Sequence, residues 1–133
     1  MRVILFSGRF DRVHPGHIIT IQRLGQQYDA VVVCVLNYKG QKYPLAQRMA
    51  TLKDALMHSK GNYIVISNNT HLGEITPDDL AKLPMFDYYG AGNQKVLEHI
   101  RKIFRNMGID QERAVWVERY PGYSASKEAK GKV

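Results

Sequence analysis

Cysteine is almost missing from this sequence: Cys34 is the only one among 133 residues. A lone thiol excludes an internal disulfide, so packing alone must hold the fold, as is usual in a reducing compartment. Long hydrophobic runs are missing too. The longest, Ala30 to Leu36 and Val3 to Phe6, fall far short of the roughly 20 apolar residues that a bilayer crossing needs. Met1 and Arg2 lead directly into the second of these runs without a small-residue cleavage site, so no secretory signal is readable and a cytoplasmic location is expected. There is no low-complexity tract, no linker and no repeat with a period of roughly 20–50 residues.

What is present has globular proportions. Apolar residues make up 44% and charged residues 23%, which excludes disordered and fibrous chains. The length suits one compact domain, so residues 1–133 are expected to carry core and function together. Nineteen Lys and Arg against 12 Asp and Glu leave a net charge of +7. That balance predicts an anionic partner: a nucleoside triphosphate, a phosphorylated metabolite or nucleic acid.

Hydrophobic patterning alternates between two periods. Val3 to Phe6 and Ala30 to Leu36 are continuous and apolar, as in strands covered on both faces of a parallel sheet. Between them Ile18, Ile21 and Leu24 recur at helical spacing, with Gly25 and Asp29 marking the exit. Pro44 suits a first helical position, and Leu45, Met49, Leu52 and Leu56 continue the stripe. Tyr63 to Ile66 reads as a third strand, Thr76-Pro77-Asp78-Asp79 as the capped start of a short helix, and Phe86 to Tyr89 as a weaker strand. Val96, Leu97, Ile100, Ile103, Phe104 and Met107 form a helical stripe closed by Gly108, and Ala114 to Val117 makes a fifth strand. The expected architecture is α/β: a Rossmann-like three-layer domain with a five-stranded, mostly parallel sheet and a ligand site at the C-terminal ends of the strands. Function should then sit in residues 8–16, 37–43, 90–93 and 118–126.

The first of those loops, Gly8-Arg9-Phe10-Asp11-Arg12-Val13-His14-Pro15-Gly16-His17, carries the most chemistry. Gly8 permits a tight turn off the strand, Pro15 presets a helix entry, and Gly16 lets a ligand lie close to the backbone. Free N–H groups and the positive helix end would make an anion site, and two imidazoles one turn apart can reach the same phosphates. A metal reading is also open, since histidines at i, i+3 can share an ion, with Asp11 as the one further ligand near them. The competing structural reading buries His14, exposes His17 and leaves the glycines to the turn. His58, His71 and His99 stand outside any motif and read as surface residues, and Cys34 as a small core residue.

The string Gly-x-Phe-Asp-x-x-His-x-Gly-His after a first strand resembles the signature of the cytidylyltransferase-like nucleotidyltransferase superfamily. Arg119-Tyr120-Pro121-Gly122-Tyr123-Ser124-Ala125-Ser126 is similar to its closing motif, and in the glycerol-phosphate cytidylyltransferase branch all four positions of Arg-x-x-Gly-x-Ser-x-(Ser/Thr) match. Arg9-Phe10, Pro44 with Arg48-Met49, and Gly92-Asn93 resemble archaeal-type nicotinamide mononucleotide adenylyltransferases. The resemblance implies transfer of a nucleoside monophosphate, CMP favoured, from a triphosphate to a small phosphorylated metabolite with release of pyrophosphate. Transfer of AMP to nicotinamide mononucleotide or a related phosphate is the alternative, and a non-catalytic nucleotide- or nucleic-acid-binding module the reading of another class.

In that picture His14, His17, Arg119 and Ser124 are catalytic. The nucleotide contacts are Gly8, Arg9, Phe10, Asp11, Gly16, Lys42, Gly90, Asn93 and Ser126. Asp11 orients the loop or its histidines, and Lys42 is preferred to Lys39 because Tyr43-Pro44 anchors its end of the loop. Arg48 is either a phosphate ligand or a structural arginine. Mg²⁺ is expected to ride mainly on substrate phosphates with no protein-built metal site. Partners are the triphosphate and the phosphorylated acceptor, with no membrane, no nucleic acid expected, and a possible homodimer as in relatives.

Overall fold

The computed structural model describes residues 1–37, 40–69, 76–81 and 85–118. Strands and helices alternate along them: β1 (Val3–Gly8), α1 (Pro15–Gln27), β2 (Ala30–Leu36), α2 (Leu45–Met57), β3 (Tyr63–Asn68), α3 (Pro77–Ala81), β4 (Tyr88–Ala91), α4 (Gln94–Asn106) and β5 (Ala114–Trp116), with a short 3₁₀ turn, Gln111–Arg113, before β5. The five strands form one sheet in the order β3-β2-β1-β4-β5. Every pairing is parallel, so the sheet is wholly rather than mostly parallel among the described residues.

Period-two alternation along the central strands divides the core in two. Ile4, Phe6, Val31, Val33 and Val35 meet Ile21 and Leu24 of α1 and Leu52 and Leu56 of α2. On the opposite face Leu5, Val32, Cys34, Leu36, Tyr89 and Ala91 meet Leu80 of α3 and Leu97, Ile100, Ile103 and Phe104 of α4. Apolar residues cannot all leave water on one face of such a strand, which is why β1 and β2 read as unbroken hydrophobic runs. Burial pushes the Cys34 thiol up to about 12, so it stays protonated and inert in the core.

Strand order reverses at β1, whose neighbours are β2 on one side and β4 on the other. Because all strands run the same way, the loops after β1, β2 and β4 and the chain leaving β5 at Val117 gather along one edge. That edge is where an open α/β sheet offers a crevice.

Several boundaries differ from the sequence pattern: β1 and β3 run two residues further, to Gly8 and Asn68, and β5 stops one residue earlier, at Trp116. The fourth strand is Tyr88–Ala91 rather than Phe86 to Tyr89, because Ile4, Leu5 and Phe6 of β1 pair with Tyr88, Tyr89 and Gly90. Gly25 lies inside α1 instead of ending it, since a Cβ there would sit 2.1 Å from the Tyr63 hydroxyl. Pro44 is the residue before α2 rather than its first, and Leu45 starts the helix. Met107 caps α4 and Gly108, at φ +75, turns the chain away as expected. No helix among the described residues is long and apolar enough to cross a membrane.

Candidate active site

The junction between β1 and α1 is built around two imidazoles. His14 is extended (φ −132, ψ 168) and caps α1. Its Nδ1 accepts the Gly16 N–H at 3.1 Å, while the Nδ1 of His17 accepts the His14 N–H at 3.3 Å. This is a reciprocal capping box with imidazole in both roles. The rings stack face to face, centroids 3.7 Å apart and 22° from parallel.

Capping dictates the tautomer. An Nδ1 that accepts a backbone N–H carries no proton, so each neutral ring keeps its proton on Nε2. Both histidines therefore present Nε2–H donors, the polarity that phosphate oxygens require. One expectation is corrected here. Pro15 has no N–H, the Gly16 N–H goes to His14, and the N–H groups of His17 and Ile18 go to the His14 carbonyl at 3.0 and 3.4 Å. The backbone of residues 14–18 thus has no spare donor, which leaves donation at this helix start to side chains. His14 is buried and His17 half-buried, so the pair satisfies part of the structural reading while keeping the functional one.

Phe10 supports the pair. It is buried in the left-handed region at φ 47, a conformation that costs a non-glycine residue roughly 1–3 kcal/mol. Its ring meets His17 edge-on at 5.1 Å and Phe6 at 6.1 Å. A Cβ on Gly8 would come within 3.1 Å of that ring, so glycine makes room for it. The Thr20 hydroxyl donates to the Gly16 carbonyl at 2.8 Å.

Asp11 and Arg48 bind this loop to the one after β2. The Asp11 carboxylate accepts the Lys42 N–H at 2.8 and 2.9 Å and the Tyr43 N–H at 3.0 Å, with Arg9 3.7 Å away. Burial pushes this carboxyl up, but the two N–H groups and the Arg9 and Arg48 cations outweigh it and hold the group below the usual carboxylate range. Arg48, 2% exposed, donates to the carbonyls of Tyr43, Arg9 and Leu36 and to Asn37 Oδ1 at 2.7–3.1 Å. Its fork is spent on the protein, so the structure places Arg48 as a brace between β1, β2 and the 40–43 loop. Asp11 likewise orients the loop.

The other expected residues are dispersed around this centre. Arg9 and Lys42 have exposed side chains. Gly90 lies within β4, where a Cβ would be 2.7 Å from Val117 Cγ2 and 3.2 Å from Ile4 Cδ1. Asn93 caps α4, accepting the Lys95 and Val96 N–H groups at 2.9 and 3.4 Å. Lys39, His71, Arg119, Ser124 and Ser126 lie outside the described residues; the described chain reaches Glu118 on the same sheet edge as the histidines. His58 is exposed and His99 half-buried. Two features were not anticipated. The Ser7 hydroxyl meets the Tyr89 hydroxyl at 2.8 Å between β1 and β4, and Gln41, in the loop after β2, buries both polar atoms of its side chain without a sequence signal.

Among known proteins, the phosphopantetheine adenylyltransferase of Shouchella clausii (strain KSM-K16) is 36% identical over 62 residues, 45% of this chain and 39% of that protein. The phosphopantetheine adenylyltransferase of Stenotrophomonas maltophilia (strain K279a) is 37% identical over 73 residues, 53% of this chain and 43% of that protein. The matched stretch thus spans less than half the length of these curated relatives. In fold the chain is similar to a bifunctional NMN adenylyltransferase/ADP ribose pyrophosphatase from Francisella tularensis, with a TM-score of 0.71 at 14% identity over 98% of this chain and 41% of that one. It is also similar to a lipopolysaccharide core biosynthesis protein from Thermoplasma volcanium GSS1, with a TM-score of 0.65 at 20% identity over 90% of this chain and 98% of that one. The profile of the cytidylyltransferase-like family matches residues 5–128, nearly the whole sequence, and the chain belongs to that family.

Proposed function

We propose that this chain is a nucleotidyltransferase that moves a nucleoside monophosphate from a triphosphate to a small phosphorylated acceptor, with ATP as the donor. The observation that carries the reading is the stacked, mutually capped pair of His14 and His17, whose Nε2–H tautomers sit at the reversal point of the sheet. Adenylyl rather than cytidylyl transfer is favoured by the phosphopantetheine adenylyltransferases among the relatives. Cytidylyl transfer is the second reading, favoured by the match of Arg119, Gly122, Ser124 and Ser126 to the polyol-phosphate branch.

Transfer proceeds in line. A phosphate oxygen of the acceptor forms a bond to the α-phosphorus as the bond to the bridging α–β oxygen breaks, and the electron pair leaves with pyrophosphate. Such a reaction asks the protein for alignment and for positive charge at the transferring centre and the leaving group. His14 and His17 donate to oxygens of the α- and β-phosphates, and Arg119 and Ser124 serve the β/γ end. Phe10, Asp11 and Arg48 hold the loop.

A protein of similar fold, the bifunctional NMN adenylyltransferase/ADP ribose pyrophosphatase from Francisella tularensis, was solved with AMP and a manganese ion. Among the described residues no three His, Cys, Asp or Glu side chains gather to hold a metal. A divalent ion accompanying the triphosphate would neutralise charge on its phosphate oxygens.

Pyrophosphate release with ATP or CTP against 4′-phosphopantetheine, nicotinamide mononucleotide and glycerol 3-phosphate tests the reading. Release with ATP and one acceptor supports it. Release with CTP alone selects the second reading, and nucleotide binding without release from any pair selects the non-catalytic module.

A further inference from the structure

Gln41 stands in the loop after β2, next to the residues that Asp11 holds. The residue is half-buried, yet its side-chain oxygen and nitrogen are both sealed from solvent, and among the described residues neither has a hydrogen-bond partner. A carboxamide brings one acceptor and two donors. Native interiors almost always satisfy such atoms, because a buried polar group without a partner has lost its water for nothing.

Among the described residues the neighbouring backbone offers the amide no partner. The Lys42 and Tyr43 N–H groups are held by Asp11, the Tyr43 carbonyl by Arg48 Nε, and the start of the loop by the bonds from Arg48 to Leu36 and Asn37. Both ends of the loop are therefore fixed around Gln41, and both are tied to the loop that bears His14 and His17. The position is the C-terminal edge of the sheet, on the β2 side of the reversal point. A polar group left unsatisfied there, on a braced frame, calls for a partner that the described residues do not supply.

We propose that Gln41 is a specificity-determining residue whose carboxamide hydrogen-bonds a donor–acceptor pair on the substrate that occupies the β2 side of the crevice. The inference rests on the nucleotidyl-transfer reading of the same site. The paired chemistry comes either from the edge of the nucleobase or from a hydroxyl or amide group of the phosphorylated acceptor. Gln41 acts in recognition and not in the transfer step.

The test is calorimetric titration of the full chain and of its Q41M and Q41E variants with ATP, CTP, 4′-phosphopantetheine, nicotinamide mononucleotide and glycerol 3-phosphate, with thermal unfolding of each protein. Methionine keeps the shape and removes the amide; glutamate keeps an acceptor and removes the donors. Q41M should unfold at the wild-type temperature or above it and bind one class of ligand at least tenfold more weakly, with the other class within twofold. Loss on a nucleotide assigns the base edge, and loss on an acceptor assigns its hydroxyl or amide; Q41E should weaken the same class. A Q41M protein that unfolds earlier or fails to fold, while Q41E binds every probe as the wild type does, overturns the proposal, as does wild-type affinity of both variants for every probe. Titration does not need turnover. A chain that shows the Q41M difference but releases no pyrophosphate sinks the transferase reading alone, one that turns over with unaltered Q41M affinities sinks the Gln41 proposal alone, and one that binds none of the probes sinks both.

Discussion

His14 and His17 are each other's cap: one Nδ1 holds the first free N–H of α1, the other holds the N–H of the capping residue itself, and the rings stack at 3.7 Å. The same contacts that start the helix leave Nε2 as the proton-bearing atom of each ring. Fold and chemistry are therefore coupled at one place, and a substitution there changes both by separable amounts.

His17→Ala removes a long, 3.3 Å cap bond, so it should cost only about 0.5–1 kcal/mol of stability. Turnover should fall roughly 100- to 1000-fold, the usual loss for one donor to a charge-developing centre. His17→Glu restores the return bond of the capping box but carries no donor. It should unfold near the wild-type temperature and remain as inactive as the alanine variant. Recovery of turnover by His17→Glu would assign His17 to the helix alone.

Arg48 is a buried cation answered by four oxygens, on Tyr43, Arg9, Leu36 and Asn37. Arg48→Met strands all of them and should cost about 3 kcal/mol or more. At roughly 3 °C per kcal/mol for a chain of this size, unfolding should come about 10 °C earlier. Arg48→Lys keeps the charge without the fork and should recover only part of the loss. Differential scanning calorimetry decides: a shift of a degree or two for the methionine variant would contradict the bracing role.

Much of this architecture is legible in the sequence where burial is two-sided. β1 and β2 lie between helices on both faces, so their residues repeat no polar position, and α4 shows its buried stripe at 97, 100, 103 and 104. β4 is displaced by two residues because its bounds follow backbone pairing with β1, which hydropathy does not record, and because Gly90 fits under Val117 instead of turning the chain. At the site, the whole Gly-x-Phe-Asp-x-x-His-x-Gly-His string after β1, rather than the spacing of the two histidines, points to His14 and His17. The duty of Arg48 is visible only after α2 is drawn with Arg48, Leu52 and Leu56 on one buried row, and Gln41 shows no pattern at all, since an unsatisfied amide is a property of three dimensions.

The depressed titration of Asp11 gives stability a defined pH dependence. A carboxyl whose folded-state value lies below its unfolded value of about 3.9 stabilises the protein fully above that pH. The contribution is lost as pH falls below about 4, through the lowered folded-state value. Asp11→Asn removes the charge and turns an amide toward the Lys42 and Tyr43 N–H groups. Its unfolding temperature should be lower at neutral pH and fall less steeply than wild type between about pH 4 and pH 2. Parallel curves for the two proteins over that range would show that Asp11 does not couple the loops.

Gly25 tests the packing of α1 against the sheet edge. Alanine in a helix interior ordinarily gains about 1 kcal/mol over glycine. Here the new Cβ would lie 2.1 Å from the Tyr63 hydroxyl, 2.6 Å from Cζ and 2.8 Å from Cε1. The tyrosine tip is not free to retreat, because its hydroxyl donates to the Lys60 carbonyl at 2.8 Å and its ring packs with the core shared by α1 and α2. Overpacking of this kind costs roughly 1–3 kcal/mol, enough to cancel the propensity gain or exceed it. Gly25→Ala should therefore unfold at or below the wild-type temperature, and Gly25→Ala combined with Tyr63→Val should be more stable than Tyr63→Val alone, because the valine removes the obstacle and exposes the helical preference. Equal gains from Gly25→Ala in both backgrounds, measured by chemical denaturation, would mean that the ring and the helix do not meet.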